Sequence, residues 1–138
     1  MKSRVQNTLR PKKILVVDDN HDAAELVSSL LEAQGHEVQT AHTPTEALAV
    51  ATRQQPDIAF LDIGLPEMDG FELAARMRSL PELRDCRLVA ITGYDDAEDR
   101  KQSKRIGFEA HLVKPISLDT LEQVIQSAPE LEHARGAR

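Results

Sequence analysis

The chain is poor in the features that mark several common classes of protein. Its 138 residues include one cysteine, Cys86, which excludes an internal disulfide and any zinc site built from several cysteines. No stretch approaches the roughly 20 apolar residues that cross a membrane, and no apolar core follows the basic N-terminus as in a secretory signal. These absences predict a cytoplasmic protein that does not bind membranes.

Nitrogen and sulfur ligands for a metal are also scarce. Cys86 directly precedes an apolar run and is interpreted as a small buried side chain beside a strand. The histidines other than His111 show no metal-ligand spacing, and we expect them to be surface residues. They are His21, His36, His42 and His133.

The net charge of −6 hides an uneven distribution along the chain. Residues 1–13 hold five basic residues and no acid, which leaves twelve basic against 23 acidic residues in the remainder. Nucleic-acid binding requires a basic face, so the acidic body argues against it. The basic leader could touch a phosphate backbone, but we interpret it as a flexible, solvated arm.

The length fits a single domain, without internal repeats or low-complexity segments. We predict a flexible basic leader over 1–11, one domain over 12–128 and a polar tail over 129–138. Apolar runs predict strands over 12–17, 57–61, 87–91 and 109–113, and a brief alternating pattern predicts one over 37–41. Helices follow them, with predicted N-caps at Asn20, Thr43, Asp69 and Ser117.

Five strands alternating with five helices predict an α/β fold, a parallel sheet with helices on both faces. The residues alone leave the order of the strands open, and the order 2-1-3-4-5 is adopted from a common class of doubly wound sheets. The fourth helix, predicted over 95–106, has only Ala97 and Ile106 as apolar residues. Packing therefore holds it weakly, as at a sheet edge or in a segment that shifts between two states.

Chemically useful side chains follow four of the predicted strands. Asp18 and Asp19 follow the first strand, Asp62 ends the third, Thr92 ends the fourth and Lys114 follows the fifth. Because the carboxyl ends of parallel strands meet at one edge, we expect these five side chains to lie close together.

Three neighbouring carboxylates repel one another unless a cation lies among them. Oxygen donors without histidine or cysteine favour Mg²⁺. Lys114 offers a charge for a phosphoryl oxygen, Thr92 offers a hydroxyl, and a carboxylate can form an aspartyl-phosphate. This set predicts phosphoryl transfer, in which positioning and charge neutralisation supply most of the catalysis.

The chain resembles the receiver domains of two-component response regulators, including the chemotaxis regulator. The resemblance is carried by VVDDN (16–20), LDIGLPEMDG (61–70), ITG (91–93) and VKP (113–115), which occur in the family's order. Each motif alone is common, but four in register at strand ends are specific. The resemblance implies the flavodoxin-like, doubly wound order 2-1-3-4-5 over nearly all of 12–128.

The resemblance also implies the role of each residue. Asp62 would accept a phosphoryl group, and Thr92 and Lys114 would hold its oxygens. The metal ligands would be Asp19, Asp62 and the backbone carbonyl of Gly64, with Asp18 acting through water. A cis peptide bond is expected between Lys114 and Pro115.

Two positions depart from the family's usual pattern, and a third is unusually bulky. His111 stands where a tyrosine or phenylalanine switch residue is common; it either couples phosphorylation to the fourth helix or is a histidine of the edge strand without that role. Gly64 stands where a polar side chain is frequent. Gly93 and the bulky Tyr94 follow Thr92, and we expect Tyr94, more than Gly64, to shield the phosphoryl group from water.

The implied function is a Mg²⁺-dependent switch. A histidine kinase or histidine phosphotransfer protein would donate the phosphoryl group to Asp62, changing partner binding at the surface of the fourth helix, fifth strand and fifth helix. Self-catalysed transfer and autodephosphorylation are expected, rather than multiple turnover. A stand-alone receiver or a piece of a hybrid kinase would fit, and a phosphorylation-dependent homodimer stays open. Rivals are an aspartyl-phosphate Mg²⁺ phosphatase and a phosphorylation-independent binding module.

Overall fold

The structure, a computed structural model, describes residues 11–64, 70–93 and 97–126. Within these residues five strands alternate with five α-helices. The strands are β1 (Lys13–Val17), β2 (Glu37–Ala41), β3 (Ile58–Asp62), β4 (Arg87–Thr92) and β5 (Ala110–Val113). The helices are α1 (His21–Ala33), α2 (Pro44–Gln54), α3 (Gly70–Arg78), α4 (Ala97–Ile106) and α5, helical over 118–126. A 3-10 turn at Pro81–Leu83 precedes β4.

The strands form one sheet in the order β2-β1-β3-β4-β5, and each neighbouring pair is parallel. The predicted fold is therefore confirmed. Val17 is paired with Leu61, Asp62 with Ile91, and Thr92 with Val113. This register brings the carboxyl ends of β1, β3, β4 and β5 to one edge of the sheet.

Two apolar clusters cover the two faces of the sheet. Leu15, Leu61 and Ala90 pack on one face with α2 and α3, whereas Ile14 and Phe60 pack on the other with α1 and α5. Successive side chains of a strand point to opposite faces, so a strand that is covered on both sides must be apolar throughout. This explains the continuous apolar runs that end at the polar edge.

Side-chain caps begin three of the helices where the sequence predicts them. The capping oxygens belong to Asn20, Thr43 and Ser117, which accept hydrogen bonds from the amides of Ala23, Glu46 and Thr120. The predicted cap Asp69 lies outside the described residues. Each cap fixes the direction in which its helix leaves the preceding loop, and Asn20 does so beside the predicted site.

The expectation that His36 is a surface residue is wrong, because its exposed fraction is 4%. Its Nδ1 accepts a hydrogen bond from the Lys12 amide at 3.1 Å. Nε2 therefore carries the proton and donates to Oε2 of Glu122 in α5, at 3.0 Å. The other predicted surface histidines differ among themselves: His21 is exposed, His42 is half-buried, and His133 lies outside the described residues.

The predicted domain limits at 12 and 128 stay predictions, since residues 1–10 and 127–138 lie outside the described part. Among the helices of the described segments, none combines the length and the apolar character needed to cross a bilayer.

Candidate functional site

Three carboxylates converge at the carboxyl edge of the sheet, as the sequence predicts. Asp18 and Asp19 lie in the turn between β1 and α1, and Asp62 is the last residue of β3. Each offers an oxygen atom such that all three atoms lie within 4.8 Å of one another. Asp18 is buried, Asp62 half-buried and Asp19 exposed, so the group is open to solvent on one side.

The turn that carries Asp18 and Asp19 is fixed by local hydrogen bonds. Oδ1 of Asp18 accepts from the amide of Asn20 at 3.0 Å, and the Asn20 side chain in turn caps α1. The amide of Asp18 donates to the carbonyl of Ala41 at 3.1 Å, which extends the pairing of β1 with β2 beyond the strand ends. The position of Asp18 is therefore set by both the sheet and the helix.

Lys114 enters the same group from the end of β5. Its amide donates to the carbonyl of Thr92 at 2.8 Å, and the Lys114–Pro115 peptide bond is cis, as expected. Its Nζ lies 3.3 Å from Oδ2 of Asp18 and 3.4 Å from Oδ2 of Asp62. Lys114 thus bridges the two carboxylates.

Two groups of the site, Asp62 and Lys114, have a raised pKa, for different reasons. Burial raises the pKa of Asp62; the Gly64 hydrogen bond and the Lys114 charge lower it, the Asp18 charge raises it, and the net shift is upward. Burial lowers the pKa of Lys114, but the charges of Asp62 and Asp18 outweigh this effect and hold it above its ordinary value. Lys114 therefore stays charged while the carboxylates still repel each other.

The three carboxylates fit a hard divalent cation. No histidine or cysteine belongs to the group among the described residues, and oxygen donors of this kind suit Mg²⁺. Lys114 supplies one positive charge against three carboxylates, which leaves negative charge for a cation to neutralise. The donor chemistry thus matches the metal that the sequence predicts.

A cavity of about 390 Å³ opens beside Asp62. Oδ1 of Asp62 accepts a hydrogen bond from the amide of Gly64 at 2.9 Å, which orients the carboxylate at the cavity wall. Thr92, which is 6% exposed, also lines the cavity with Gly93. Asp99 and Gln102 of α4 line the cavity as well, so the cavity lies between Asp62 and that helix.

Of the predicted switch or access residues, His111 does not join the carboxylate group. His111 lies inside β5, paired in register with Ala90, and its Nδ1 is 3.1 Å from Oγ of Ser103 in α4. Tyr94 lies outside the described residues, as do residues 65–69 of the longest motif. His111 therefore contacts α4, through Ser103.

Gly70 is a structural determinant of the site to which the sequence analysis assigns no role. A Cβ on Gly70 would lie 2.5 Å from Cα of Ile63 and 3.0 Å from the carbonyl oxygen of Asp62. The amide of Gly70 donates to the carbonyl of Ile63 at 3.2 Å. The start of α3 thus packs directly on the segment after Asp62. The sequence feature that could have indicated this role is a glycine at the start of a predicted helix.

Known proteins are similar to this chain in both sequence and fold. A family model described as "Response regulator receiver domain" matches residues 14–126. The polar-differentiation response regulator DivK of Brucella anthropi is 33% identical over 117 residues, which cover 85% of this chain and 95% of that protein.

Solved structures of related signalling proteins have a similar fold. The chemotaxis protein CheY4 of Vibrio cholerae is similar with a TM-score of 0.80 and 32% identity, covering 85% of this chain and 98% of that one. A response regulator of Burkholderia pseudomallei, crystallised with a phosphorylated aspartic acid, a calcium ion and citrate, has a TM-score of 0.79 and 28% identity. The match covers 91% of this chain and 73% of that one.

Proposed function

The chain belongs to the response regulator receiver domain family, and we propose that Asp62 is its phosphoacceptor. Phosphorylation on an aspartate is the function of this family, and receiver domains take their phosphoryl groups from histidine kinases or phosphotransfer proteins. One observation carries the assignment to Asp62. Its carboxylate lines an open cavity while facing Lys114 at 3.4 Å and two further carboxylates.

The proposed reaction is a displacement at phosphorus. An oxygen of the ionised Asp62 carboxylate attacks the phosphorus of a phosphohistidine. The new P–O bond forms as the P–N bond breaks, and the imidazole of the donor leaves with the electron pair. Lys114 neutralises charge on the phosphoryl oxygens, and the hydroxyl of Thr92 donates a hydrogen bond to one of them.

We further propose that Asp19, Asp62 and the carbonyl of Gly64 hold Mg²⁺, with Asp18 acting through water. When bound, Mg²⁺ offsets the negative charge of the carboxylates and of the phosphoryl group. The support is the chemistry of the three convergent carboxylates. Asp18, which is hydrogen-bonded to the Asn20 amide and to Lys114, also helps to keep Lys114 charged and oriented toward Asp62.

The donor protein is proposed to dock beside α1. An apolar groove of about 450 Å³ runs between α1 and the segment after β5, lined by side chains that include Leu26 and Ile116. Asp18 and Lys114 lie at the same groove, so a protein seated there is next to the phosphoacceptor group. Leu26 is 62% exposed, and no other large apolar side chain of the described residues is classed as exposed. A donor with an apolar patch around its histidine fits this groove.

The output is proposed to pass through α4, which lies between two cavities. Asp99 and Gln102 line the cavity at Asp62. Basic side chains of the same helix, including Lys101 and Lys104, line a second cleft of about 420 Å³ against β5, next to His111. A displacement of α4 therefore alters both cavities.

Electrostatic repulsion supplies a cause for that displacement. The phosphoryl group carries up to about two negative charges at neutral pH and replaces the single charge of the carboxylate, so the site gains about one negative charge. Asp99 lines the cavity that receives this group. Ser103 is the one buried residue of α4 as described, and it contacts His111. A helix with so little buried surface shifts at a low cost in free energy. The contact between Ser103 and His111 then transmits the displacement of α4 to β5.

The second cleft favours a partner with acidic side chains. Lys101 and Lys104 are both exposed and, within the described residues, no carboxylate pairs with either. Glu109 also lines the cleft, but Arg87 holds it through hydrogen bonds of 3.0 and 3.1 Å, which neutralises its charge. The cleft is thus positive in a chain with a net charge of −6. A second copy of the chain is the alternative occupant.

Intact mass spectrometry tests the proposed function. The protein is incubated with acetyl phosphate and Mg²⁺, alongside Asp62→Asn and the control Asp85→Asn, which removes an exposed acid. We expect one phosphoryl group on the parent and on Asp85→Asn, and none on Asp62→Asn. Turnover of phosphodonor without an accumulated adduct would favour a phosphatase. No reaction at all would favour a binding module.

A further inference from the structure

The end of β2 holds the backbone of Asp18 on both sides. The amide of Asp18 donates to the carbonyl of Ala41 at 3.1 Å. The carbonyl of Asp18 lies 3.0 Å from Nδ1 of His42. A carbonyl oxygen only accepts hydrogen bonds, so Nδ1 of His42 carries the proton and donates. Two successive residues, Ala41 at the end of β2 and His42 directly after it, thus bind the two polar backbone groups of a proposed metal-site residue.

His42 is itself fixed from the helix that follows it. Its backbone amide donates to Oε1 of Glu46 at 2.9 Å, and Thr43 caps the same helix, α2. In the usual capping box the glutamate accepts from the amide of the cap residue. Here Glu46 instead accepts from the residue before the cap. The backbone of His42 is therefore anchored independently of the site.

The imidazole of His42 also packs on His21. The two rings are stacked, with centroids 3.7 Å apart and planes inclined by 11°. His21 is the first residue of α1 and lies two positions after Asp19. The His42 side chain thus makes one contact before Asp19, at the carbonyl of Asp18, and one after it, at the ring of His21.

Asp19 needs such support because its carboxylate is not held locally. Its side chain is exposed and, in the part of the chain described, no protein group hydrogen-bonds to it. The carbonyl of Asp18 belongs to the peptide unit that joins Asp18 to Asp19. Rotation of that unit would move the Asp19 carboxylate away from Asp62. The hydrogen bond from His42 opposes this rotation.

We propose that His42 is a positioning residue for Mg²⁺: its Nδ1–H holds the peptide unit between Asp18 and Asp19, and so directs the Asp19 carboxylate toward the metal. The inference rests on the proposed function, because it takes the three carboxylates as the metal site. Residues that orient metal ligands through hydrogen bonds change metal affinity by about 10- to 100-fold when they are mutated. The effect here is at the lower end, since one ligand of three is misdirected.

Three substitutions separate hydrogen bonding from packing. His42→Asn keeps an N–H close to the position of Nδ1, His42→Leu has the shape of asparagine without the donor, and His42→Phe keeps a stacking ring without the donor. Mg²⁺ affinity of the unphosphorylated proteins is measured by isothermal titration at constant ionic strength. Urea unfolding of each protein without Mg²⁺ checks the fold.

We expect His42→Leu and His42→Phe to bind Mg²⁺ about 10-fold more weakly, and His42→Asn to remain within about threefold of the parent. Equal affinity of the leucine and asparagine variants would overturn the inference. If the phenylalanine variant does not fold, the leucine–asparagine pair decides alone. Absence of Mg²⁺ binding in the parent would instead contradict the proposed metal site, and the inference with it.

Discussion

Gly70 and Ile63 approach each other so closely that a Cβ on Gly70 would lie 2.5 Å from the Cα of Ile63. The contact is with backbone, so no flexible side chain can move aside. Because Ile63 follows Asp62, the packing of α3 on this segment sets the position of the proposed phosphoacceptor. The absence of a side chain at residue 70 is thus part of the site.

Gly70→Ala is expected to lower the free energy of unfolding by about 1–3 kcal/mol, as for other overpacked positions. It should also slow phosphorylation by acetyl phosphate, because the end of β3 must move. Urea unfolding and the rate of adduct formation measure the two effects. Gly93→Ala is the matched control for the stability effect, because a Cβ there meets nothing within 4 Å. Equal stability of the two variants would show that the contact is not restrictive.

The buried hydrogen bond between His36 and Glu122 fastens α5 to the body of the fold. His36→Leu removes both of its hydrogen bonds and leaves the Lys12 amide without its acceptor, so we expect a loss of about 1–3 kcal/mol. Chemical denaturation measures it. Arg76→Ala breaks the exposed pair with Glu72 and should cost no more than about 0.5 kcal/mol. A loss in His36→Leu no larger than in this control would contradict the prediction.

Cys86 is expected to be a poor nucleophile in the folded protein. Burial raises the pKa of its thiol from an ordinary value of 9.0 to about 12. At pH 8 iodoacetamide should therefore modify the native protein far more slowly than the protein in urea, because the thiolate is the reactive form. Equal rates would contradict the burial of this thiol.

The same shift predicts a pH dependence of stability. Above pH 9 the unfolded thiol ionises while the folded thiol keeps its proton, so stability falls as pH rises toward about 12. Below pH 9 Cys86 contributes no pH dependence. The difference in unfolding free energy between the parent and Cys86→Ala, measured from pH 8 to pH 10, isolates the effect. A pH-independent difference would be inconsistent with the raised pKa.

Asp99 is predicted to transmit phosphorylation to α4. In Asp99→Asn, the amide shift changes that phosphorylation causes at Lys101 and Lys104 should be reduced, because the repulsion from the phosphoryl group is lost. Two-dimensional NMR of both proteins with and without phosphodonor measures this. Glu98→Gln removes a neighbouring charge that does not line the cavity at Asp62 and serves as the control. If phosphorylation changes these amide shifts as much in Asp99→Asn as in the parent, an electrostatic coupling through Asp99 is excluded.

Much of the site could be predicted from local sequence, because the ends of the strands are visible in the sequence. The run before Asp18 and the run before Asp62 are apolar throughout, and each stops at a carboxylate. A parallel sheet then brings these ends together, whatever the details of packing. The order of the strands is different: it depends on which pairs of strands pack best, and a known fold class supplied it.

Two of the interactions that were not predicted join residues far apart in the chain. His36 is 86 residues from Glu122, and no pattern around a single histidine after a turn distinguishes burial from exposure. His42 and Asp18 belong to different loops, so their hydrogen bond appears only once β2 lies beside β1. Ser103 is polar and was not predicted to be the buried residue of α4. Its Oγ lies 3.1 Å from Nδ1 of His111 in β5.

Mapping the phosphorylated residue tests the assignment of Asp62 most directly. Sodium borohydride reduces an aspartyl-phosphate to homoserine, which peptide mass spectrometry then locates in the sequence. After incubation with acetyl phosphate and Mg²⁺, we predict homoserine at position 62 and unmodified aspartates at 18 and 19. Homoserine at 18 or 19, or none at 62 in a protein that has gained a phosphoryl group, would contradict the assignment.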